Sequence, residues 1–263
     1  MTNIQALSTL EKKRVVVLGG SEGIGLAVAQ GATALGASVI IASRSLDKLN
    51  RAAAKISGPV ETYSVDFTHE DEVAELFQKK IQHFDHLVVT AFTFGGGSIV
   101  KLPVSKAKAF FEGKFWGAYY AAKYAAPYLS ESGSITFFSG NMCIRPGSGV
   151  AAGVAAGGAL EALGRCLAVE LAPIRVNVIS PGMTQTPSWD LMSEEERDRM
   201  FVKAKELIPV PRIAQPEDIA HAVLSIVTSS YINGIVLVVD GGEILSTFPQ
   251  PEIVDEIDHM THH

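Results

Sequence analysis

Seven residues, Gly19-Gly20-Ser21-Glu22-Gly23-Ile24-Gly25, stand between a β-branched run and an apolar helical pattern. Glycines at 19, 23 and 25 leave backbone N–H groups accessible, and a helix N-terminus adds partial positive charge. A diphosphate needs both, together with a close backbone approach that side chains would block. The turn therefore offers Gly19, Ser21, Glu22, Gly23, Ile24 and Gly25 as a cradle for a dinucleotide pyrophosphate. Tight turns use glycine too, but the place between strand and helix favours the cradle. Further along stands Ser43-Arg44. A carboxylate at the end of the second strand would read free ribose hydroxyls, whereas a cation reads a 2′-phosphate. Arg44 can make paired charge-assisted bonds to phosphate and Ser43 can donate to it, so the expected cofactor is NADP(H). The plain alternative is a surface arginine. Glu22 works against the reading, since it puts a negative charge in the same turn.

The elements that must position these groups alternate along the chain. Strands are expected at 14–18, 38–42, 60–65, 86–90, 134–138, 175–179 and 235–239, and helices at 24–35, 46–56, 71–82, 107–129 and 150–171. The strands are read as continuous apolar runs rather than alternating ones, as in a parallel sheet covered on both faces. The pattern predicts a doubly wound parallel seven-stranded sheet, a Rossmann fold with helices on both faces, and a ligand at the carboxyl ends of its strands. The 263 residues are read as one domain (1–263), with a core at about 13–242 and a polar tail at 246–263. Apolar residues make up 47% and charged residues 19%, which supports a large core and excludes a disordered chain. A net charge of −6 without a basic block argues against nucleic acid. Two cysteines, Cys143 and Cys166, and no apolar leader at 1–13 fit a cytoplasmic protein. No stretch is expected to span a membrane. The run at 150–172 comes nearest, but Glu161, Arg165 and Glu170 interrupt it.

With these residues placed, the chain resembles the short-chain dehydrogenase/reductase family from about 13 to 242. LGGSEGIG is similar to that family's TGxxxGIG, with Leu18 where threonine is usual. Asp66, followed by Phe67 in SVDF, matches the aspartate that bonds the adenine amino group. Ser180-Pro181-Gly182-Met183-Thr184-Gln185-Thr186 resembles SPGxxxT, so Pro181, Gly182, Thr184 and Thr186 are expected around the nicotinamide carboxamide. Val89-Thr90-Ala91-Phe92 stands where the family has NNAG, with Ala91 against the cofactor. Pro216-Glu217-Asp218-Ile219-Ala220 and Val239-Asp240-Gly241-Gly242 match PEEIA and VDGG. The resemblance implies an oxidoreductase acting on a small carbonyl or alcohol. It also implies a homodimer or homotetramer built through the helices near 107–129 and 150–171.

The family's catalytic Asn, Ser, Tyr and Lys fare differently. Aligned on Ala159-Leu160-Glu161, the tyrosine position falls on Gly153 and the lysine position on Gly157. The asparagine position falls on Lys114, and the serine position on Gly140 with Ser139 one residue earlier. Loss of a positioned general acid costs about 10²–10⁴ in rate, roughly 3–5 kcal/mol. Glycine in a helix costs about 1 kcal/mol relative to alanine. Gly153, Gly157 and Gly158 therefore serve either to open room for a ligand or other side chains, or to allow close packing between subunits. Lys114 is the candidate to enter the space above Gly157 from the opposite wall, as ribose ligand or acid, the alternative being a solvated lysine. Ser139 is the candidate to orient a substrate oxygen. The literal YxxxK at Tyr119–Lys123 lies before the fifth strand and is read as an i,i+4 interface pair.

The remaining candidates are weaker. Arg145 lies on the substrate side, as an anion ligand or a surface charge. Cys143 has no histidine near it in sequence and reads as a packed loop residue. His83 and His86 have HxxH spacing but flank the wrong end of the fourth strand, so no metal is expected, and His259, His262 and His263 read as solvated. Phe92, Phe94, Phe137 and Phe138 are expected in the core or the pocket wall. The polar stretch 188–207 is either a lid or a solvated helix pair. Three functions remain open: an NADP(H) oxidoreductase with displaced catalytic groups, a catalytically degenerate NADP(H)-binding protein such as a redox sensor or structural subunit, and a non-redox enzyme on the same scaffold.

Overall fold

A computed structural model describes residues 9–91 and 95–246. Its sheet is built from β1 (Arg14–Leu18), β2 (Ser38–Ser43), β3 (Val60–Ser64), β4 (Phe84–Val89), β5 (Leu129–Phe138), β6 (Arg175–Pro181) and β7 (Val236–Val239). All seven pair in parallel, in the order β3-β2-β1-β4-β5-β6-β7. The order reverses direction between β1 and β4, and there the carboxyl ends splay into a crevice. Around the sheet run α1 (Gly23–Ala34), α2 (Leu46–Ala53), α3 (Glu70–Glu75), α4 (Val104–Phe111), α5 (Gly117–Ala125), α6 (Ala151–Glu170), α7 (Glu194–Leu207) and α8 (Pro216–Thr228).

Alternation along β1 shows why both faces are apolar. Val15 and Val17 enter one core with Val28, Leu49 and Val223 of α1, α2 and α8. Val16 and Leu18 enter the other with Phe77, Ala121, Phe137 and Leu160. Because every second residue faces one layer of helices, a strand covered on both sides must be apolar throughout. The edge strand β3, Val-Glu-Thr-Tyr-Ser, is half-exposed and carries polar side chains instead. A third, smaller cluster joins Phe201 and Ala204 of α7 to Met183, Ile208 and Ile213.

Several boundaries differ from expectation, for local reasons. The helix expected at 107–129 is α4, a wide π-type turn over Glu112–Trp116 that carries Lys114, α5, and a short 3₁₀ turn over Ala126–Tyr128 that contains Pro127. The helix expected at 71–82 likewise passes from α3 into a π turn at Leu76–Lys80. β5 begins at Leu129 rather than Ser134, because Ser130 is tied to Phe84 and Asp85. β4 begins at Phe84, so His86 lies inside the strand; it is buried, with Nδ1 2.9 Å from Ser134 Oγ. Burial pushes its pKa down to about 4. α6 is long and apolar enough, by length and composition, to cross a membrane, contrary to the reading of 150–172; here it packs on β6 and α4.

Candidate active site

The crevice at the carboxyl ends of the strands is a cleft of about 360 Å³. Its walls come from the β1–α1 turn, the end of β2, and the segments following β3, β4, β5 and β6, with Lys114 entering from the π turn. It runs from Ser43 and Arg44 at one end to Lys114, Ser139 and Trp189 at the other.

At the turn, the structure shows why glycine is required. Gly19 has φ of 88°, and a Cβ there would lie 2.6 Å from Thr90 Oγ1 and 2.8 Å from Ala91 N. A Cβ on Gly25 would lie 2.2 Å from Gly19 O. Strand end and helix start are thus pressed together, leaving a backbone-lined cradle. Thr90 locks it by donating to Leu18 O and Gly19 O at 3.1 and 3.2 Å. Glu22 is held by Lys48 at 2.9 Å, so its charge is locally compensated. Among the described residues no carboxylate pairs with Arg44, whose exposed side chain borders the cleft.

Beyond β3, Phe67 forms part of the cleft wall. Asp66 stands beside it, with Oδ1 accepting from Thr68 N at 3.0 Å and Thr68 Oγ1 at 2.7 Å. Burial alone would raise its pKa, but these bonds and the Arg44 charge outweigh it, so the pKa lies below the usual carboxylate value. Ala91 borders the cleft, whereas Phe92 and Phe94 lie outside the described residues. Phe138 lines the cleft and Phe137 is in the core.

At the far end, Lys114 Nζ donates to Ser139 O at 2.7 Å. Its Cε stands 3.9 Å from where a Cβ on Gly157 would be, and Cys143 Sγ stands 2.7 Å from that point. The space of a larger side chain on α6 is thus occupied by a lysine stem and a thiol from facing walls. Burial brings the Lys114 ammonium down to about 8, with the Cys143 and Glu161 charges acting in the opposite sense. Burial also pushes the Cys143 thiol up to about 11, and its Sγ lies 3.7 Å from Val154 O, so it is packed and inert. A Cβ on Gly153 would meet nothing within 4 Å. α6 carries neither tyrosine nor lysine.

Pro181, Gly182, Thr184 and Thr186 line the same end. Thr184 O accepts from Trp189 Nε1 at 2.7 Å, and Thr186 Oγ1 lies 2.6 Å from Ser188 Oγ. The stretch 188–207 divides into a short 3₁₀ turn, whose Pro187, Ser188 and Trp189 form cleft wall, and α7, which packs behind Met183. Three residues of the cleft wall also carry buried polar atoms without a partner: Ser43 Oγ, Ser139 Oγ and Asn141 Nδ2. Such atoms cost free energy unless a ligand or water meets them. The cradle that a Cβ would fill, together with these orphaned atoms, fits a dinucleotide with polar groups at both ends.

Sequence reasoning passed over Met142, Met183, Trp189, Asn141 and Glu243 as cleft residues. Asn141 and Glu243 look like turn residues in the sequence, and only the fold brings them inward. One expectation requires correction. Lys123 does not pair with Tyr119: it bonds Glu70 at 2.7 Å and lies over the Tyr124 ring, while Tyr119 packs tilted against Phe115 and edge-on against Trp116. Arg145, read as an anion ligand or a surface charge, donates to Glu243 O at 3.1 Å and contacts Ser246 Oγ at 3.4 Å. Among the described residues no three His, Cys, Asp or Glu groups converge as metal ligands. His259, His262 and His263 lie outside the described residues.

Comparison with known proteins agrees with this architecture. The profile of the family described as enoyl-(acyl carrier protein) reductase matches residues 19–243. The short-chain dehydrogenase/reductase ucsE of Acremonium sp is 34% identical over 260 residues, covering 90% of this chain and 97% of that one. Among solved structures, a small-chain dehydrogenase in complex with NADPH aligns with a TM-score of 0.78 at 36% identity, covering 89% of this chain and 99% of its own. The MalC reductase/Diels-Alderase of Malbranchea aurantiaca aligns with a TM-score of 0.84 at 28% identity, covering 92% and 100%. The chain belongs to the short-chain dehydrogenase/reductase family of oxidoreductases.

Proposed function

We propose that this protein is a cytoplasmic, NADP(H)-dependent oxidoreductase that interconverts a small carbonyl and its alcohol with displaced catalytic groups. One observation carries the cofactor half: Arg44 borders the cradle without a carboxylate partner among the described residues, while the nearby Glu22 is neutralised by Lys48. A phosphorylated ribose meets an exposed guanidinium there, and the carboxylate of the glycine turn is neutralised. Gly19, Ser21, Gly23, Ile24 and Gly25 would hold the diphosphate, Ser43 and Arg44 the 2′-phosphate, Asp66 and Phe67 the adenine. Ala91, Pro181, Gly182, Thr184 and Thr186 would bound the nicotinamide end.

Bound there, the dinucleotide supplies or accepts the hydride. The protein's own part is positioning and proton transfer. Lys114 takes the place of the missing acid. Its ammonium, with a pKa near 8, is charged at neutral pH and close enough to neutrality to release a proton to a substrate oxygen. Ser139 Oγ, buried and without a protein partner, orients that oxygen. Phe138, Met142, Met183 and Trp189 make the surroundings apolar, which excludes water and strengthens these polar contacts.

A dye-free titration with NADPH and NADH tests the cofactor half. NADPH is expected to bind more tightly, and Arg44→Ala to weaken NADPH by about tenfold or more while leaving NADH within about twofold. Equal affinity of wild type for the two would overturn the NADP(H) assignment. NADPH oxidation across a panel of aldehydes, ketones and quinones tests the catalytic half. A second reading, a degenerate NADP(H)-binding protein, draws on the open face of Gly153. Tight NADPH binding without oxidation of any carbonyl would favour it.

A further inference from the structure

Glu243 presents an unusual charge. It is only 2% exposed, yet it forms part of the cleft wall at the end where Pro181 to Thr184 gather. Its Oε2 accepts from Met183 N at 2.8 Å, and it presses on the backbone so closely that a Cβ on Gly182 would lie 2.6 Å from that oxygen. No lysine or arginine forms a salt bridge with it among the described residues. Arg145 donates to the backbone oxygen of Glu243, not to its carboxylate. The neighbouring Asp240 caps Gly242 N and Ile244 N, adding negative rather than positive charge. A buried carboxylate with one backbone donor is poorly compensated, and it favours a cation in the space it faces.

The nicotinamide end of the cleft meets such a cation in one redox state only. When a hydride leaves the reduced ring, taking two electrons and one proton, the ring that remains carries a positive charge. We infer that Glu243 is the counter-charge to the oxidised nicotinamide ring, so that the cleft holds NADP⁺ more tightly than it would with a neutral side chain. The inference rests on the cofactor reading above. Glu243 also fixes the Met183 N–H. The carboxylate thereby shapes the loop and sets the charge felt by the ring, and the two roles can be separated.

Glu243→Gln keeps an oxygen acceptor for Met183 N–H and removes the charge. Titration of wild type and variant with NADP⁺ and with NADPH, followed by calorimetry or by the fluorescence of Trp189, reads binding without turnover. The expected result is a loss of roughly tenfold for NADP⁺ with NADPH unchanged within about twofold. An equal loss for both forms would assign Glu243 to loop geometry alone, and no loss for either would remove it from the site; both results overturn the inference and leave the cofactor reading intact. Wild type that binds neither form would instead overturn the cofactor reading, and the inference with it. Should Glu243→Gln not fold, Glu243→Met, which also removes the charge, is read the same way: a loss confined to NADP⁺ supports the inference, and an equal or absent loss overturns it.

Discussion

Lys114 carries two opposing demands in one side chain. Its stem occupies the space above Gly157 and its ammonium donates to Ser139 O, in surroundings that bring its pKa from 10.5 to about 8. The folded state thus releases this proton before the unfolded chain does. Between about 8 and 10.5 the unfolded chain binds more protons at this position, so its contribution to stability rises with pH across that window. Below about 8 the full cost of a buried charge is present. Lys114→Met should therefore raise the melting temperature near pH 7, by the equivalent of about 1–3 kcal/mol, while lowering carbonyl reduction by about 10²–10⁴. In wild type, reduction should fall as pH rises through about 8, because the acid form is lost. Thermal melts and a pH–rate profile check both; a melting temperature that falls in Lys114→Met would contradict the buried-charge account.

At the scale of elements, glycine has two different meanings here. In the β1–α1 turn, glycine exists because strand and helix touch: a Cβ on Gly25 would sit 2.2 Å from Gly19 O. Gly25→Ala should force the turn apart, destabilise the fold by more than 1 kcal/mol, and weaken NADPH binding by at least about tenfold. In α6, a Cβ on Gly153 meets nothing within 4 Å of the chain. Gly153→Ala should instead stabilise the helix by about 0.5–1 kcal/mol, since alanine restricts the unfolded backbone without a clash. Denaturant unfolding of the two variants in parallel should show shifts of opposite sign. If both destabilise, Gly153 is packed against something outside this chain.

For the whole molecule, the surfaces of α5 and α6 matter most. Trp116 and Tyr119 are 39% and 40% exposed and form a ladder with Phe115 and Tyr120, and Val169 on α6 is 80% exposed. Exposed aromatic clusters of this kind mark association surfaces. We propose a homodimer or homotetramer formed through these helices. Light scattering should report a multiple of the chain mass, and Trp116→Glu should shift it towards the monomer. A monomeric wild type at micromolar concentration would refute the proposal.

Much of this was written in local pattern. Continuous apolar runs and their helical intervals determined a doubly wound parallel sheet, because a strand covered on both faces can have no polar side. The spacing of Gly19, Gly23 and Gly25, with Arg44 after β2, marked the cleft because the glycine turn and the strand end both lie within one βαβ unit. What lies opposite Gly157, how Glu22 is neutralised, and where Glu243 points depended on residues tens of positions apart. Lys114 meets α6, Lys48 meets Glu22, and Glu243 meets Met183 only after the sheet has closed. Sequence fixes which groups are available; burial and distance, which decide their charge and partners, belong to the tertiary structure alone.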